Sequence, residues 1–583
     1  MQSSIQPTAR YLHSSSSTAL YSSEQVYAIE QAWFDQGYDS FGLMQQAAWQ
    51  MTQQIIKLNE QANAQSKKHD RSHGCTNRQP RAGIWVGQGN NGGDGWLIAY
   101  YLQQAGWQVQ VITVGIDDID LVENRKVTEN SETTSISDAI SAQHRALAAS
   151  CPYQRFEDSE YGKEDQQNTV LQFDVYIDAL FGIGLDRAPE GVYKQAMVAF
   201  NKAAQQAAAL VVAVDIPSGL VASTGQVFEQ LAIQADVTLC LIARKFGLHT
   251  KDGMDYAGQV IDIPLIPYEP TEPAATLLSN AHGLSSRQQN SYKGSYGHVL
   301  IIGGNRIDGS QGMGGAAILA SASAMATGAG KITVACHDAF HGALLTSLPD
   351  AMTIDLHDRK GVEKLIEEAS VVAIGMGLGR DATAKKLFID YVGAVMTQGS
   401  SLVIDADGLY HLASLQADKH ELVTQLREYS LTHQVCLTPH SGEAARLLNQ
   451  KISEVENGRL SAIHQCAERY GGDWVLKGAG SFVMEQQKVY VCGVGNAGMA
   501  TAGMGDVLSG VIAGLLAQQD LTENQRSLHQ AVMIHGLAGD TLVNQPAYNA
   551  KSDSPSALLI GQRGLQAQDM PAAIRHIMQT ITY

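Results

Sequence analysis

Short apolar runs, rich in β-branched residues, alternate along this chain with stretches in which apolar residues recur every three or four positions. In the first half the runs fall at 82–86, 108–114, 173–177, 210–214 and 237–240. Runs this short that do not alternate with polar residues predict strands covered on both faces. Residues 96–105 carry helical spacing, and 27–57 predict a helix ahead of the first strand. The polar stretch 59–80 reads as a loop. The acidic, weakly periodic stretch 117–168 reads as an excursion around one helix near 136–149. The second half restarts the pattern, with strands expected at 298–302, 331–335, 371–374, 402–404, 435–437, 473–476, 481–484 and 489–491. Helices are expected at 315–327 and 506–517. Between the halves, 266–276 carries Pro267, Pro270 and Pro273 with little periodicity. The expected division is a disordered lead over 1–20, a front domain over 21–267, a linker over 268–283 and a back domain over 284–583. Strands alternating with helices make both domains α/β, each with a parallel sheet covered by helices.

Composition narrows the picture. The 583 residues are 44% hydrophobic and 17% charged, enough apolar material for two cores. The net charge of −18 disfavours nucleic acid as a partner, because such binding needs a basic surface. It leaves room for an anionic ligand held by backbone amides. Seven widely spaced cysteines form no CxxC pair, which disfavours a zinc site or a disulfide framework and suits reduced thiols in a cytoplasm. No run of 18 apolar residues suggests a membrane span, and the Ser-rich start lacks the apolar core of a signal peptide.

The 56 glycines cluster just after the predicted strands. The first cluster, Gly87-Gln-Gly-Asn-Asn-Gly-Gly-Asp-Gly95, ends a strand and opens a helix. Glycines there let backbone approach a ligand, and the helix start offers N–H groups to a phosphate. The same residues also suit a turn with local Asn side-chain hydrogen bonds. Two further strands run into Asp178, followed by Phe181-Gly-Ile-Gly184, and into Asp215, followed by Ile216-Pro-Ser-Gly219. Carboxyl ends of parallel strands face the ligand crevice of an open α/β sheet, so the three loops are expected to converge. An isolated Asp after a strand is more often a helix N-cap or turn residue than a catalyst, and two of them, each followed by a glycine-containing loop, shift that balance.

In the back half the densest signal is Asn496-Ala-Gly-Met-Ala-Thr-Ala-Gly-Met-Gly-Asp506, running into a helix. Its N–H groups suit a transferring phosphoryl group, and Asp506 stands where a general base for an attacking hydroxyl is needed. Asp506 as an ordinary N-cap is the alternative. Lys477-Gly-Ala-Gly-Ser481 lies between two strands and suits nucleotide phosphate. Asp405-Ala-Asp407 and Thr438-Pro-His440-Ser-Gly-Glu443 follow strands. The GxxxxGK[ST] phosphate loop is absent.

The front residues resemble the NAD(P)H-hydrate epimerase family, whose domain is Rossmann-like and three-layered, α/β/α. The resemblance implies that Asn90, Asn91, Gly92, Gly93, Asp94, Gly182, Ile183, Gly184, Leu185, Asp186, Arg187, Ala188, Tyr193 and Asp215 hold hydrated NADH or NADPH. It implies a potassium ion on Asn91, Asp178 and Ser218 with backbone carbonyls, and Asp215 is the candidate acid/base. The back residues resemble the ADP- or ATP-dependent NAD(P)H-hydrate dehydratase branch of the ribokinase-like superfamily. There Ala316, Gly377, His440 and Asp506 would contact the hydrated cofactor. Lys477, Gly478, Ala479, Gly480, Ser481 and Gly505 would contact ADP, taken with magnesium. Together the halves resemble a bifunctional repair enzyme, expected to be a cytoplasmic homo-oligomer. Two other readings stay open: a small-metabolite kinase with a regulatory front domain, and a front domain serving as a non-catalytic scaffold.

Overall fold

The computed structural model describes residues 17–69, 78–116, 137–159, 172–268, 272–306, 312–543 and 560–583. Most of the excursion expected over 117–168 therefore lies outside the described residues, although its helix forms at Asp138–Ala148. The chain divides into two compact units. One spans Ala19–Ala274; the other spans Ala275–Tyr583 together with the start of the chain. No helix among the described residues is long and apolar enough to cross a membrane.

The strands, in chain order, are β1 (Ser17–Leu20), β2 (Arg81–Val86), β3 (Gln108–Thr113), β4 (Tyr153–Arg155), β5 (Val175–Ala179), β6 (Leu210–Val214), β7 (Val237–Leu241), β8 (Gln259–Ile263), β9 (Ala275–Leu278), β10 (His298–Ile302), β11 (Lys331–Cys336), β12 (Met352–Asp355), β13 (Val371–Ile374), β14 (Ser401–Ile404), β15 (Val435–Leu437), β16 (Asp473–Leu476), β17 (Phe482–Glu485) and β18 (Lys488–Cys492). The front sheet runs β4-β3-β2-β5-β6-β7-β8, and every pair in it is parallel. On one face Met51, Leu97 and Ala142 share a core with Ile84 and Ile177; on the other, Phe200 and Met197 pack on Trp85 and Tyr176. This is a three-layer α/β/α unit. Burial on both sides explains why its strands read as continuous apolar runs.

The back sheet runs β1-β9-β18-β17-β16-β15-β14-β13-β10-β11-β12. The pairs β16–β17 and β17–β18 are antiparallel, while the strands from β15 to β12 pair in parallel. Helices Gly314–Ala326 and Met504–Leu516 lie almost backbone to backbone. A Cβ on Gly510 would stand 2.1 Å from the Ala320 carbonyl oxygen, and one on Gly514 2.1 Å from Thr327 Oγ1. Only glycine permits that approach.

Several expected elements differ. The helix expected over 27–57 is two helices, Ser23–Phe34 and Ser40–His69. Gly37 lies at φ +89°, and the Asp39 carboxylate accepts the Gly42 N–H at 2.6 Å, so the chain stops and restarts there. The second helix continues through polar residues expected as loop, because an exposed helical face needs no apolar residues. Ser17–Leu20, expected within a disordered lead, form an edge strand. The linker expected over 268–283 contains β9, which pairs in parallel with β18. Its partner lies some two hundred residues away, and the flanking prolines hid it. Asp178 lies inside β5 rather than after it, and the helix expected to begin at Asp506 begins at Met504.

Candidate functional sites

In the front unit, the helix Asn90–Gln104 starts directly after β2. A Cβ on Gly92 would stand 1.9 Å from the Gly87 carbonyl oxygen, so the turn closes only with glycine. Asn91 donates from Nδ2 to the Phe181 carbonyl at 2.8 Å. Asp178 is fully buried. Its Oδ2 accepts the Ser218 N–H at 2.7 Å, and its Oδ1 accepts the Ser218 hydroxyl at 2.6 Å and the Leu180 N–H at 3.2 Å. The Ser218 oxygen in turn accepts the Phe181 N–H at 2.9 Å. Asn91, Asp178 and Ser218 thus meet around one backbone segment. No cationic side chain pairs with Asp178 among the described residues, and burial pushes its carboxyl up to about 6.

Asp215 follows β6 at φ +66°, a left-handed conformation costly for any residue but glycine. Its carboxylate accepts the Leu241 N–H at 2.9 Å and pairs with the ammonium of Lys245. Lys245 is 1% exposed and also donates to the Leu241 carbonyl at 2.7 Å. Burial works against the ammonium, but the neighbouring Asp215 carboxylate outweighs it, and Lys245 stays charged. Asp94 is buried with Oδ1 unpartnered among the described residues. Burial, aided by the carboxylates of Asp215 and Glu30, holds Asp94 well above the usual carboxylate range. In the 182–188 loop, Gly182 lies against Asn91 and Gly184 faces the Tyr27 hydroxyl. Asp186 and Arg187 are exposed. Tyr193 packs on Phe181 with ring centroids 4.7 Å apart.

In the back unit, Gly503 caps the helix Met504–Leu516 at φ +88°, so Asp506 is its third residue and not its cap. Gly505 brings the helix start beside β16: a Cβ there would stand 3.1 Å from Lys477 Nζ. Lys477 donates to Asp405 Oδ1 at 2.8 Å and lies 3.9 Å from Glu443 Oε2. The Ser509 hydroxyl donates to the other Asp405 oxygen at 2.7 Å. Asp405 therefore holds the lysine, and Asp506 makes no side-chain hydrogen bond among the described residues. Burial, then the nearby Asp405 carboxylate, push Asp506 up to about 7, against the pull of Lys477.

His440 caps the helix Ser441–Leu448, its Nδ1 accepting the Gly442 N–H at 3.0 Å while Nε2 lies 3.5 Å from Glu443 Oε1. Ala316 and Gly377 adjoin, since a Cβ on Gly377 would stand 3.3 Å from that of Ala316. Gly478 and Ala479 are exposed, and the Ser481 hydroxyl closes their turn on the Gly478 carbonyl at 2.9 Å. Asp407 is structural: it takes the Gly379 N–H at 2.9 Å and Arg380 Nε at 2.7 Å.

Residues 40–247 match the YjeF-related N-terminal family, and residues 299–560 match the NAD(P)H-hydrate dehydratase family. Along 84% of this chain and 88% of its own length, a bifunctional NAD(P)H-hydrate repair enzyme of Coxiella burnetii is 33% identical. The chain belongs to the bifunctional NAD(P)H-hydrate repair enzyme family. Repair enzymes of that name from Vibrio cholerae and Escherichia coli are 37% and 32% identical, over 70% and 86% of this chain and 75% and 87% of their own lengths. A solved Bacillus subtilis chain titled ADP/ATP-dependent NAD(P)H-hydrate dehydratase is 22% identical; the match covers 51% of this chain and 95% of that one, with a TM-score of 0.40.

Both repair sites also contain residues that sequence reasoning did not single out. Glu30 stands by Asp215, as does Lys245, which the sequence offered only as part of the tail Lys245-Phe-Gly-Leu248 and without a role; Ser509 and Arg459 stand by Asp405 and Lys477. Arg459 is 5% exposed, donates to the Leu476 carbonyl at 2.9 Å and lies under Gly478, where a Cβ would stand 2.6 Å from its Nη1. Each pairing joins distant segments, so no local pattern announces it.

Proposed function

We propose that the front unit interconverts the two C6 epimers of hydrated NADH and NADPH. The back unit then removes water from the S epimer at the expense of a nucleotide, with ADP preferred. The observation that carries this reading is Asp506, an unpaired carboxyl pushed up to about 7 at the start of a helix whose N–H groups are free to receive a phosphoryl group. A base poised near neutrality takes the proton of the C6 hydroxyl as that oxygen attacks the terminal phosphorus of the nucleotide. With ADP the products are AMP and the C6 phosphate ester. Loss of phosphate and of a C5 proton then restores the dihydropyridine. Lys477, Gly478, Ala479, Gly480, Ser481 and Gly505 hold the nucleotide, and Ala316, Gly377 and His440 hold the hydrate. The Nε2 of His440, 3.5 Å from Glu443 Oε1, carries a hydrogen, because Nδ1 is occupied as an acceptor. Magnesium arrives with the nucleotide phosphates and supplies charge neutralisation there.

In the front unit, Asn90, Asn91, Gly92, Gly93, Asp94, residues 182–188, Tyr193 and Asp215 bind the hydrate. Asp215, held by Lys245, faces the cation that develops on the ring as the C6 oxygen leaves. A potassium ion fits Asn91, Asp178 and Ser218, since Asp178 is a buried carboxylate with no cationic side chain paired to it among the described residues, and carboxylate, hydroxyl and carbonyl oxygens suit an alkali ion. It would supply positive charge beside the bound dinucleotide. The six described cysteines are buried and unpaired, which supports a reducing, cytoplasmic setting.

The test is recovery of reduced-nicotinamide absorbance from mixed hydrate epimers with magnesium and ADP or ATP. The intact chain should restore both epimers. Asp506→Ala should restore neither, its rate falling by about 10²–10⁴-fold. Recovery with neither nucleotide would sink the repair reading, and a stable phosphorylated product from another substrate would favour a metabolite kinase.

A further inference from the structure

The glycine-rich stretch that leads into the helix Met504–Leu516 does not hold its own shape. Gly493, Gly495, Gly498 and Gly503 give it many accessible conformations, and its one helical turn is Ala497–Met499. A loop that presents N–H groups to a phosphoryl group must nevertheless be fixed closely. The Gly493 N–H reaches the Leu278 carbonyl at 2.8 Å, and a Cβ on Gly498 would stand 2.7 Å from the Gln562 carbonyl oxygen. Between those points the restraint comes from the helix Leu528–Val543, which follows in the chain and shows this loop a face that includes residues 536, 539 and 540.

Each of those three residues meets the loop at a different point. A Cβ on Gly536 would stand 2.8 Å from Val494 Cγ2 and 3.0 Å from the Val494 carbonyl oxygen. One on Gly539 would stand 2.3 Å from Met499 Sδ. The two glycines let the loop lie directly on the helix. Asp540 accepts the Gly495 N–H on Oδ2 at 2.9 Å and the Asn496 side-chain N–H on Oδ1 at 3.0 Å. The Asn496 amide is thereby oriented, and its oxygen accepts the Gly498 N–H at 3.0 Å. His535 is buried one turn before Gly539 and has an unpartnered Nε2 among the described residues. Hydrogen bonds to an ionised acceptor are about twice as strong as neutral ones. Asp540 is therefore the firmest of these attachments.

We infer that the helix Leu528–Val543 sets the geometry of the phosphoryl-transfer loop, with Asp540 as its main positioning residue, acting through Asn496. This rests on the dehydratase reading given above. Both Asp540 oxygens are taken by the loop. The carboxylate offers acceptors only, so it dictates which way the Asn496 amide faces. An amide in its place would set an NH2 group against one of the two N–H groups it now receives, at almost unchanged volume.

Asp540→Asn, Asn496→Ala and the double variant, all in the full chain, test the inference. Dehydration of the S hydrate with ADP and magnesium is followed beside epimerisation of the R hydrate, a readout from the other unit. A misplacement of about 1 Å costs on the order of 10²-fold in rate. Asp540→Asn should therefore lose about 10²-fold in dehydratase kcat and Asn496→Ala about tenfold, with little change in either KM. The double variant should be no worse than Asp540→Asn, because both changes break one linkage. Epimerisation should continue at the wild-type rate. Asn496 is partly exposed, so Asn496→Ala decides the matter if Asp540→Asn does not fold. A kcat within about twofold of wild type for Asn496→Ala, or losses that multiply in the double variant, would overturn the inference. Failure of the wild-type chain to restore the dinucleotide would instead overturn the dehydratase reading.

Discussion

Each unit buries a lysine on an aspartate, and the two lysines are used differently. In the front unit Lys245 pairs with Asp215 itself, the carboxylate nearest the proposed chemistry. In the back unit Lys477 pairs with Asp405 and leaves Asp506 without a partner. A carboxylate held by a lysine is a fixed negative charge, suited to stabilising a cation that develops opposite it. One that burial and the neighbouring Asp405 carboxylate push up to about 7, against the pull of Lys477, suits proton transfer. The same two residue types thus yield an electrostatic site in one unit and a basic site in the other, and only the choice of partner separates them.

The difference breaks most severely at Lys245→Met. Removing one member of a buried ion pair costs about 3–5 kcal/mol, because the other charge is left uncompensated. The front unit should lose that stability and its epimerase activity, while the back unit keeps dehydrating the S hydrate; calorimetry and parallel assays check both. A smaller effect is expected from Asp405→Asn, read in the dehydratase pH profile. Asp506 acts as a base only when deprotonated, so wild-type kcat/KM should rise with pH through about 7. Loss of Asp405 removes a repelling carboxylate and frees Lys477 towards Asp506. Both changes move the acid limb to lower pH; a limb that stays or moves up would contradict the assigned pairing. The smallest expected effect is that of potassium on thermal stability, compared with a sodium control. Burial raises Asp178 to about 6, so without a cation its charged form opposes folding progressively as pH rises from about 4 to above 6. Potassium should relieve that penalty at pH 8 and have little effect at pH 5, where the carboxyl is protonated, and Asp178→Asn should abolish the difference.

What could be read from the sequence was local. Gly87–Asp94 and Gly503–Asp506 stood out because close backbone approach leaves glycine as the only fitting residue, and because each acid follows within a few positions. Lys477, Asp405 and Asn496 lay in motifs that stood out, but the pairings that give the acids their character did not. Lys245 is 30 residues from Asp215, Lys477 is 72 from Asp405 and Asp540 is 44 from Asn496. None of these has a spacing that marks it. The strands showed the same division. The apolar runs of β2 and β10 were plain, whereas β9 and β12 were missed. Residues of β12 are only partly buried and alternate little, as an outer strand allows.

The pairing of β9 with β18 has a practical consequence for anyone dividing the protein. A gene cut at the proline-rich segment, so that the back unit begins at residue 284, would delete Ala275–Leu278 and strip β18 of its neighbour. The unpaired row of N–H and C=O groups on Lys488–Cys492 would then be open to a strand from another molecule, with Val489 and Val491 on either side of Tyr490. A soluble, separately expressed dehydratase must carry its first strand from the stretch that the prolines make look dispensable, so the cut belongs before Ala275.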